Sequence, residues 1–426
     1  MKDWFTQNWR ELLVRFALVF FCFTLWPKGG VYWGIGGLIF AWLVDGAIFR
    51  FSDLIKEPLV LGILIFCGVW IVGLFWSDFS VAFQERWKKY FLLLIFLPLY
   101  SLLNKERLPW AIGGLISSYS IMVVLGGYYW LIQDVQGVPL FGMLYLHYSA
   151  ALGIGVILAV FWGWIALAEK RGLFSMLPWL AALLLLFLQF NQSARGFLFA
   201  TLLALLLMVV LRYRSEKKML VGSLVPMMAV ATLFAVNSDT FRERVQQVSM
   251  DLQSFQQGDY QTSVGYRLAI WDIGLHGIVE RPLLGHGSGM AKQYLKDSYV
   301  TYKQGIYRNL SEFHEARHFH NELIEIGIHL GLLGILAFIF LLWCWFNTFK
   351  RYQMTLLGSA IVCFIFLSGL TDTFLITNRI LPFLLTVTAM VVYWQRYTEL
   401  SDKMGQKRMI NEENGNQNPQ MFLMIA

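Results

Sequence analysis

An all-helical, polytopic membrane fold is what this sequence predicts, with about twelve transmembrane helices. Three observations carry that expectation. The 426 residues are 57% hydrophobic and only 14% charged, against roughly half apolar and a quarter charged in an ordinary soluble domain. The mean hydropathy is +0.56. The apolar residues also gather into long runs, separated by short polar breaks, instead of following the two-residue or 3.6-residue periods of a half-buried surface.

A bilayer core takes roughly 20 apolar residues per helix. Runs of that kind are expected at about 11–27, 31–49, 58–76, 90–103, 110–132, 144–168, 177–190, 197–213, 219–236, 322–347, 354–370 and 380–395. The stretch 177–213 reads as two helices because Asn191-Gln-Ser-Ala-Arg-Gly196 interrupts it. No cleavable signal peptide is expected, since Met1 to Arg15 is polar and no small-residue cleavage site follows. Cys22, Cys67, Cys344 and Cys363 all fall in apolar runs without C-x-x-C spacing, so they read as small packing residues. No internal repeat suggests the paired halves of many transporters.

Charge sets the orientation. With both termini cytoplasmic, nineteen of the 34 Lys and Arg fall in the short inner segments, six in short outer loops and nine in one long outer loop, as the positive-inside rule requires. The net charge of +7 is then a topology signal and implies no nucleic-acid partner. The exception is the outer loop 77–89, which carries Arg86, Lys88 and Lys89. The expected organisation is spans one to nine over 1–236, an extracytoplasmic loop forming a helical cap over 237–321, spans ten to twelve over 322–396, and a cytoplasmic tail over 397–426, disordered from about Ser401.

The chemistry is expected in that cap. Six of seven histidines lie in or just after it: His276, His286, His314, His318, His320 and His329. A neutral imidazole at His320 could accept a proton from a hydroxyl near working pH; a lone interfacial histidine is more often a structural hydrogen bond. Arg195, between two apolar runs, carries a fork that matches phosphate oxygens; the bland alternative is an arginine snorkelling to the interface. Arg267, at the start of an amphipathic stretch, would add to an anion site if it lies near a helix N-terminus, or be a solvated loop residue. Glu322 and Glu325 open the next helix, where carboxylates suit its dipole. The glycines of Glu280-Arg-Pro-Leu-Leu-Gly-His-Gly-Ser-Gly289 permit tight turns. His314-Glu-Ala-Arg-His318 is formally H-E-x-x-H, the zinc-protease pattern. With histidines this dense, a chance match is favoured, and no metal is expected.

Taken together, His320-Asn321, nine residues and then Gly331-Leu-Leu-Gly334 resemble the signature of bacterial O-antigen ligases. Asn191–Gly196 is similar to that family's arginine-bearing turn. Tyr266-Arg-Leu-Ala-Ile-Trp271 with Arg281-Pro-Leu-Leu-Gly-His-Gly287 resembles a segment shared with O-antigen polymerases. The resemblance implies an inverting glycosyltransferase of lipopolysaccharide biosynthesis, in the bacterial inner membrane with its site facing the periplasm. It would move a glycan from undecaprenyl diphosphate to a sugar hydroxyl of lipid A–core, without metal or other cofactor. His320 would be the base, and Arg195 and Arg267 would bind the donor diphosphate. Asn321, Arg317, His318 and Tyr266 are expected in support. An O-antigen polymerase or a protein O-oligosaccharyltransferase would use the same donor. A multi-span transporter and a zinc membrane protease are the more distant alternatives.

Overall fold

The computed structural model describes residues 2–82, 86–170, 172–308, 310 and 318–415. It is a helical membrane protein. Among the described residues the one extended pairing is an isolated bridge between Val138 and Met143. The fifteen longer helices named here are α1 (Lys2–Thr24), α2 (Gly30–Val44), α3 (Pro58–Val72), α4 (Phe96–Leu102), α5 (Leu108–Gln133), α6 (Tyr145–Ala168), α7 (Leu177–Phe190), α8 (Arg195–Tyr213), α9 (Lys217–Asn237), α10 (Asp239–Gln256), α11 (Ser263–Glu280), α12 (Ala291–Ser298), α13 (Glu322–Arg351), α14 (Thr355–Thr371) and α15 (Ile380–Gly415). A 3-10 segment, Arg86–Ile95, runs directly into α4.

Each of the twelve apolar runs falls on a helical segment. Among the described residues, seven of these segments are long and apolar enough to cross a bilayer, and α2 and α14 are shorter apolar helices. Proline opens α3, α5 and α7 in the first turn, where its missing N–H costs nothing and its fixed φ suits the helix. The break at 191–194 is fixed by amide side chains. Ser193 N–H donates to Gln136 Oε1 at 2.9 Å and Gly137 N–H to Gln192 Oε1 at 3.1 Å. α15 continues to Gly415, into the stretch expected to be disordered from Ser401; residues 416–426 lie outside the described residues.

One large apolar core joins the spanning helices. α13 packs along α3, α8 along α14, and α1 against α2 and α5. Arg107, at the start of α5, ties α1 and the end of α2 together through Glu11 at 2.7 Å and Asp45 at 2.6 Å. The four cysteines are free thiols, three of them buried. A second, smaller core builds the cap from α11, α12 and the loop after it, and Phe319, Ile324 and Ile328 seat that core on α13. Asp272 locks the cap by accepting from Lys303 at 2.6 Å, Tyr307 at 2.9 Å and Tyr302 at 3.2 Å.

α13 is broken about a third of the way along, at Gly331. Gly331 takes φ +59°, ψ −148°, a conformation open essentially only to glycine. The backbone groups freed there pair with the 282–289 turn. His286 and Gly287 donate to the carbonyls of Ile328 and His329, both at 2.8 Å, and Leu332 and Leu333 donate to Pro282 and Leu283 at 2.8 and 3.1 Å. Irregular backbone at membrane depth is tolerated when protein satisfies it. The glycines that looked like a weak loop signal therefore build a plug: Gly285, Gly287 and Gly289 all have positive φ.

Candidate active site

The site assembles where three segments meet: the start of α13, the end of α14, and the first turns of α11. His320 immediately precedes the cap of α13 and sits at φ +49°, a left-handed conformation uncommon for a side-chain-bearing residue. Its Nδ1 lies 3.0 Å from Asp372 Oδ1, with both side chains partly open to solvent. Burial opposes ionisation of Asp372. The hydrogen bond and charge of His320, the charge of His318 and the Thr373 N–H overcome it, and hold this carboxyl at about 2. An ionised carboxylate only accepts, so the proton of the His320–Asp372 bond sits on Nδ1. When the imidazole is neutral, Nε2 carries a lone pair with no hydrogen-bond partner among the described residues, which is what a proton acceptor needs.

Asn321 caps α13: its Oδ1 accepts from Leu323 and Ile324 N–H at 3.0 and 3.2 Å. Its Nδ2 donates to Leu370 O at 3.2 Å, tying α13 to α14 beside Asp372. The His318 ring meets that of His320 edge-on, with centroids 4.0 Å apart. Its Nδ1 accepts from His320 N–H at 3.3 Å and lies 3.2 Å from Thr373 Oγ1. Burial first, then the neighbouring His320, pushes the His318 imidazole down to about 4. Glu322 and Glu325 are buried bridges more than exposed dipole partners. Glu322 accepts from Tyr90 O–H at 2.6 Å and Leu375 N–H at 2.9 Å. Glu325 accepts from Phe319 N–H at 2.8 Å and faces His329 at 3.5 Å.

The arginines come in from the cap and from α8. Thr262 caps α11 by accepting from Gly265 N–H at 3.0 Å. Tyr266 and Arg267 follow, and the Tyr266 ring lies 6.4 Å from that of His320. Trp271 donates to Phe319 O at 2.8 Å, fixing α11 against the histidine segment. Arg195 is the first residue of α8 and donates to Arg244 O at 2.6 Å. The charges of Arg244 and Arg267 both act on it. Guanidinium groups from α10 and α11 thus share an electrostatic neighbourhood with Arg195 of α8, together with the carboxylate of Asp251.

Asp372 and Arg244 were missed by sequence reasoning. Asp372 stands in Thr371-Asp-Thr-Phe374, where one carboxylate after an apolar run resembles any loop acid. Arg244 is one of several charges on an amphipathic helix. His314 and Arg317 lie outside the described residues. His318, His320 and Asp372 offer donor atoms within 4.8 Å of one another, a spacing open to a small cation. That set is not the H-E-x-x-H pair of 314 and 318.

The fold and site define a class: a multi-pass helical membrane protein with a histidine–carboxylate dyad and an arginine cluster under a helical cap. Residues 179–339 match the family model described as O-antigen ligase, a segment that holds Arg195, Arg267 and His320. It is 27% identical over 182 residues, 42% of each chain, to the O-antigen ligase of Escherichia coli (strain K12). It is 34% identical over 86 residues, 20% of each chain, to a Rickettsia conorii protein described as "Putative polysaccharide ligase". These matches span less than half the length of either relative.

Proposed function

We propose that the chain is a glycosyltransferase that moves a glycan from a polyprenyl diphosphate to a sugar hydroxyl of lipid A–core. The site would face the periplasm, with both termini cytoplasmic. The observation that carries this reading is the His320–Asp372 dyad, 3.0 Å between Nδ1 and Oδ1, with Nε2 left to accept a proton. In the reaction, Nε2 takes the acceptor hydroxyl proton while that oxygen bonds to the anomeric carbon. The bond from that carbon to the diphosphate oxygen breaks, and the diphosphate leaves with the electron pair. One such displacement inverts the anomeric centre.

A diphosphate is already a good leaving group, so the barrier falls mainly through charge stabilisation. Arg195 and Arg267, with Arg244 beside them, supply it. An apolar cavity of about 350 Å³ lined by Trp164, Leu186, Leu205 and Met227 lies among α6 to α9. Leu205 is ten residues along α8 from Arg195, about 15 Å at 1.5 Å per residue. That span suits a diphosphate at Arg195 and an isoprenoid tail below it.

The test uses the purified full chain in lipid nanodiscs with excess EDTA, a polyprenyl diphosphate glycan and lipid A–core, beside His320→Ala. Transfer by wild type alone is expected. Donor elongation without transfer to lipid A–core would replace the ligase reading by a polymerase. Loss of transfer in EDTA, restored by zinc, would place a metal at His318, His320 and Asp372.

A further inference from the structure

The dyad is part of a larger donor set. His318, His320 and Asp372 each place one donor atom within 4.8 Å of the others. Asp372 Oδ1 is 3.0 Å from His320 Nδ1 and 3.9 Å from His318 Nδ1. Donor atoms around a tetrahedral zinc ion stand about 3.3 Å apart, given Zn–N and Zn–O bonds of about 2.0–2.1 Å. The two measured distances lie on either side of that value, so small side-chain movements would close the set on a cation.

Separate anchors hold the donors. Phe319, between the two histidines, is buried in the cap core, and its N–H donates to Glu325 at 2.8 Å. Thr373 N–H donates to Asp372 Oδ1 at 2.8 Å, and Asn321 joins α13 to the end of α14 through Leu370 O at 3.2 Å. His318 Nδ1 presents a lone pair, accepting from His320 N–H at 3.3 Å, a bond long enough for a cation to displace. All three side chains are partly open to solvent, which leaves an entry path and room for water as a fourth ligand. Two imidazoles with one carboxylate suit zinc, copper or nickel, whereas magnesium and calcium take oxygen sets.

We infer that His318, His320 and Asp372 bind one divalent cation of the zinc class, and that this cation switches the transferase off. The binding stands on the geometry alone; the inhibition rests on the transferase reading above. A cation on His320 Nδ1 occupies the position where the dyad holds the ring proton. A neutral imidazole keeps one proton, so it moves to Nε2. The nitrogen that accepted the hydroxyl proton then becomes a donor. Asp372 becomes a ligand and no longer holds the ring in the active tautomer. No proton is lost and no electron changes hands.

Two measurements test it. The full chain in lipid nanodiscs is stripped with EDTA, freed of it, titrated with zinc chloride and dialysed, and its zinc is counted by mass spectrometry. One zinc per chain is expected. His318→Gln and Asp372→Asn, in preparations that elute as wild type, should each lose it. His276→Gln removes the exposed His276–Glu280 pair at 3.2 Å and should keep it. No zinc in wild type, full occupancy in the first two variants, or loss confined to His276→Gln overturns the site, whatever reaction the protein performs. Zinc is then added to the transfer assay. Saturating zinc should lower kcat about 100-fold, the low end of what a positioned general base contributes. EDTA should restore the rate, and magnesium should leave it unchanged. Full transfer with zinc bound, or transfer that depends on zinc, overturns the inhibition. Absence of transfer with and without zinc defeats the transferase reading instead, and the occupancies still decide the site.

Discussion

Replacing Asp372 by Asn tests the dyad without removing its bulk. In the native site the carboxylate accepts from His320 Nδ1 at 3.0 Å, in a partly buried setting. A hydrogen bond to a charged group contributes about 1.5–3 kcal/mol. At 1.36 kcal/mol per tenfold in rate, the expected loss in kcat is roughly 10- to 150-fold. The upper end is favoured by chemistry. An Asn amide can turn its N–H toward Nδ1, which moves the imidazole proton to Nε2 and removes the base. The assay is single-turnover transfer in nanodiscs, with donor and acceptor KM measured alongside. An Asp372 that acts through His320 alone should leave KM within about twofold while kcat falls. Asp372→Glu should recover part of the rate by restoring the charge at a shifted position. A kcat within about twofold of wild type in the Asn variant, or a loss confined to KM, would refute the orienting role.

Arg195→Lys and Arg267→Lys should each lose most activity, because a single ammonium cannot replace the paired donors of a guanidinium; wild-type transfer in either variant removes that residue from the donor site. His318, held at about 4, resists the proton that an unfolded histidine accepts near 6.5. The unfolded state then binds more protons between those values, so stability contributed by this group falls as pH drops from about 6.5 to 4. His318→Gln should therefore show a smaller fall in melting temperature across that window than wild type, and an equal fall would argue against a buried neutral imidazole. Gly331→Ala forces a side chain into φ +59°, with its Cβ 2.6 Å from Leu283 C. Strain of about 1–3 kcal/mol before the clash should lower thermal stability and uncouple the 282–289 plug, read by faster amide exchange there. Reporters fused near residues 215 and 255 should report cytoplasm and periplasm; the reverse would overturn the proposed orientation and the mechanism with it.

The helices were legible because each is a run of apolar residues whose length the bilayer dictates, and α7 and α8 separated where six polar or small residues broke the run. His320 was legible through the density of histidines and the spacing to Gly331 and Gly334. The partners were not. Asp372 is 52 residues downstream of His320, on another helix, and nothing local in Thr371-Asp-Thr-Phe374 says which imidazole it will meet. Glu322 and Glu325 were read as dipole partners from their place in a first turn; burial made them bridges to Tyr90, Leu375 and Phe319. The glycines at 285–289 carried a turn signal, but their pairing with the α13 break depends on chain direction in space, which composition does not encode.

The adjacency of His320 and Asn321 has a mechanical reason. Asn321 is extended at φ −156°, as a helix cap must be, and one residue earlier the chain turns through φ +49°. That turn is strained for histidine and persists because both neighbours are tied down: Phe319 N–H to Glu325, and Asn321 to the first turn of α13 and to Leu370. The tie to Leu370 brings in the end of α14, two residues before Asp372. One residue pair therefore sets both members of the dyad: the histidine by backbone turn, the carboxylate by the amide that joins α13 to α14. A cap residue without a second donor would still start the helix, but would leave the distance from His320 to Asp372 to the packing of two helices alone. The Gly331 break lies eleven residues beyond His320, and the plug paired with it is continuous with α11, which carries Tyr266 and Arg267. The helix that begins beside His320 is thus fastened at its start to Asp372 and, a third of the way along, to the segment continuous with the helix that carries Arg267.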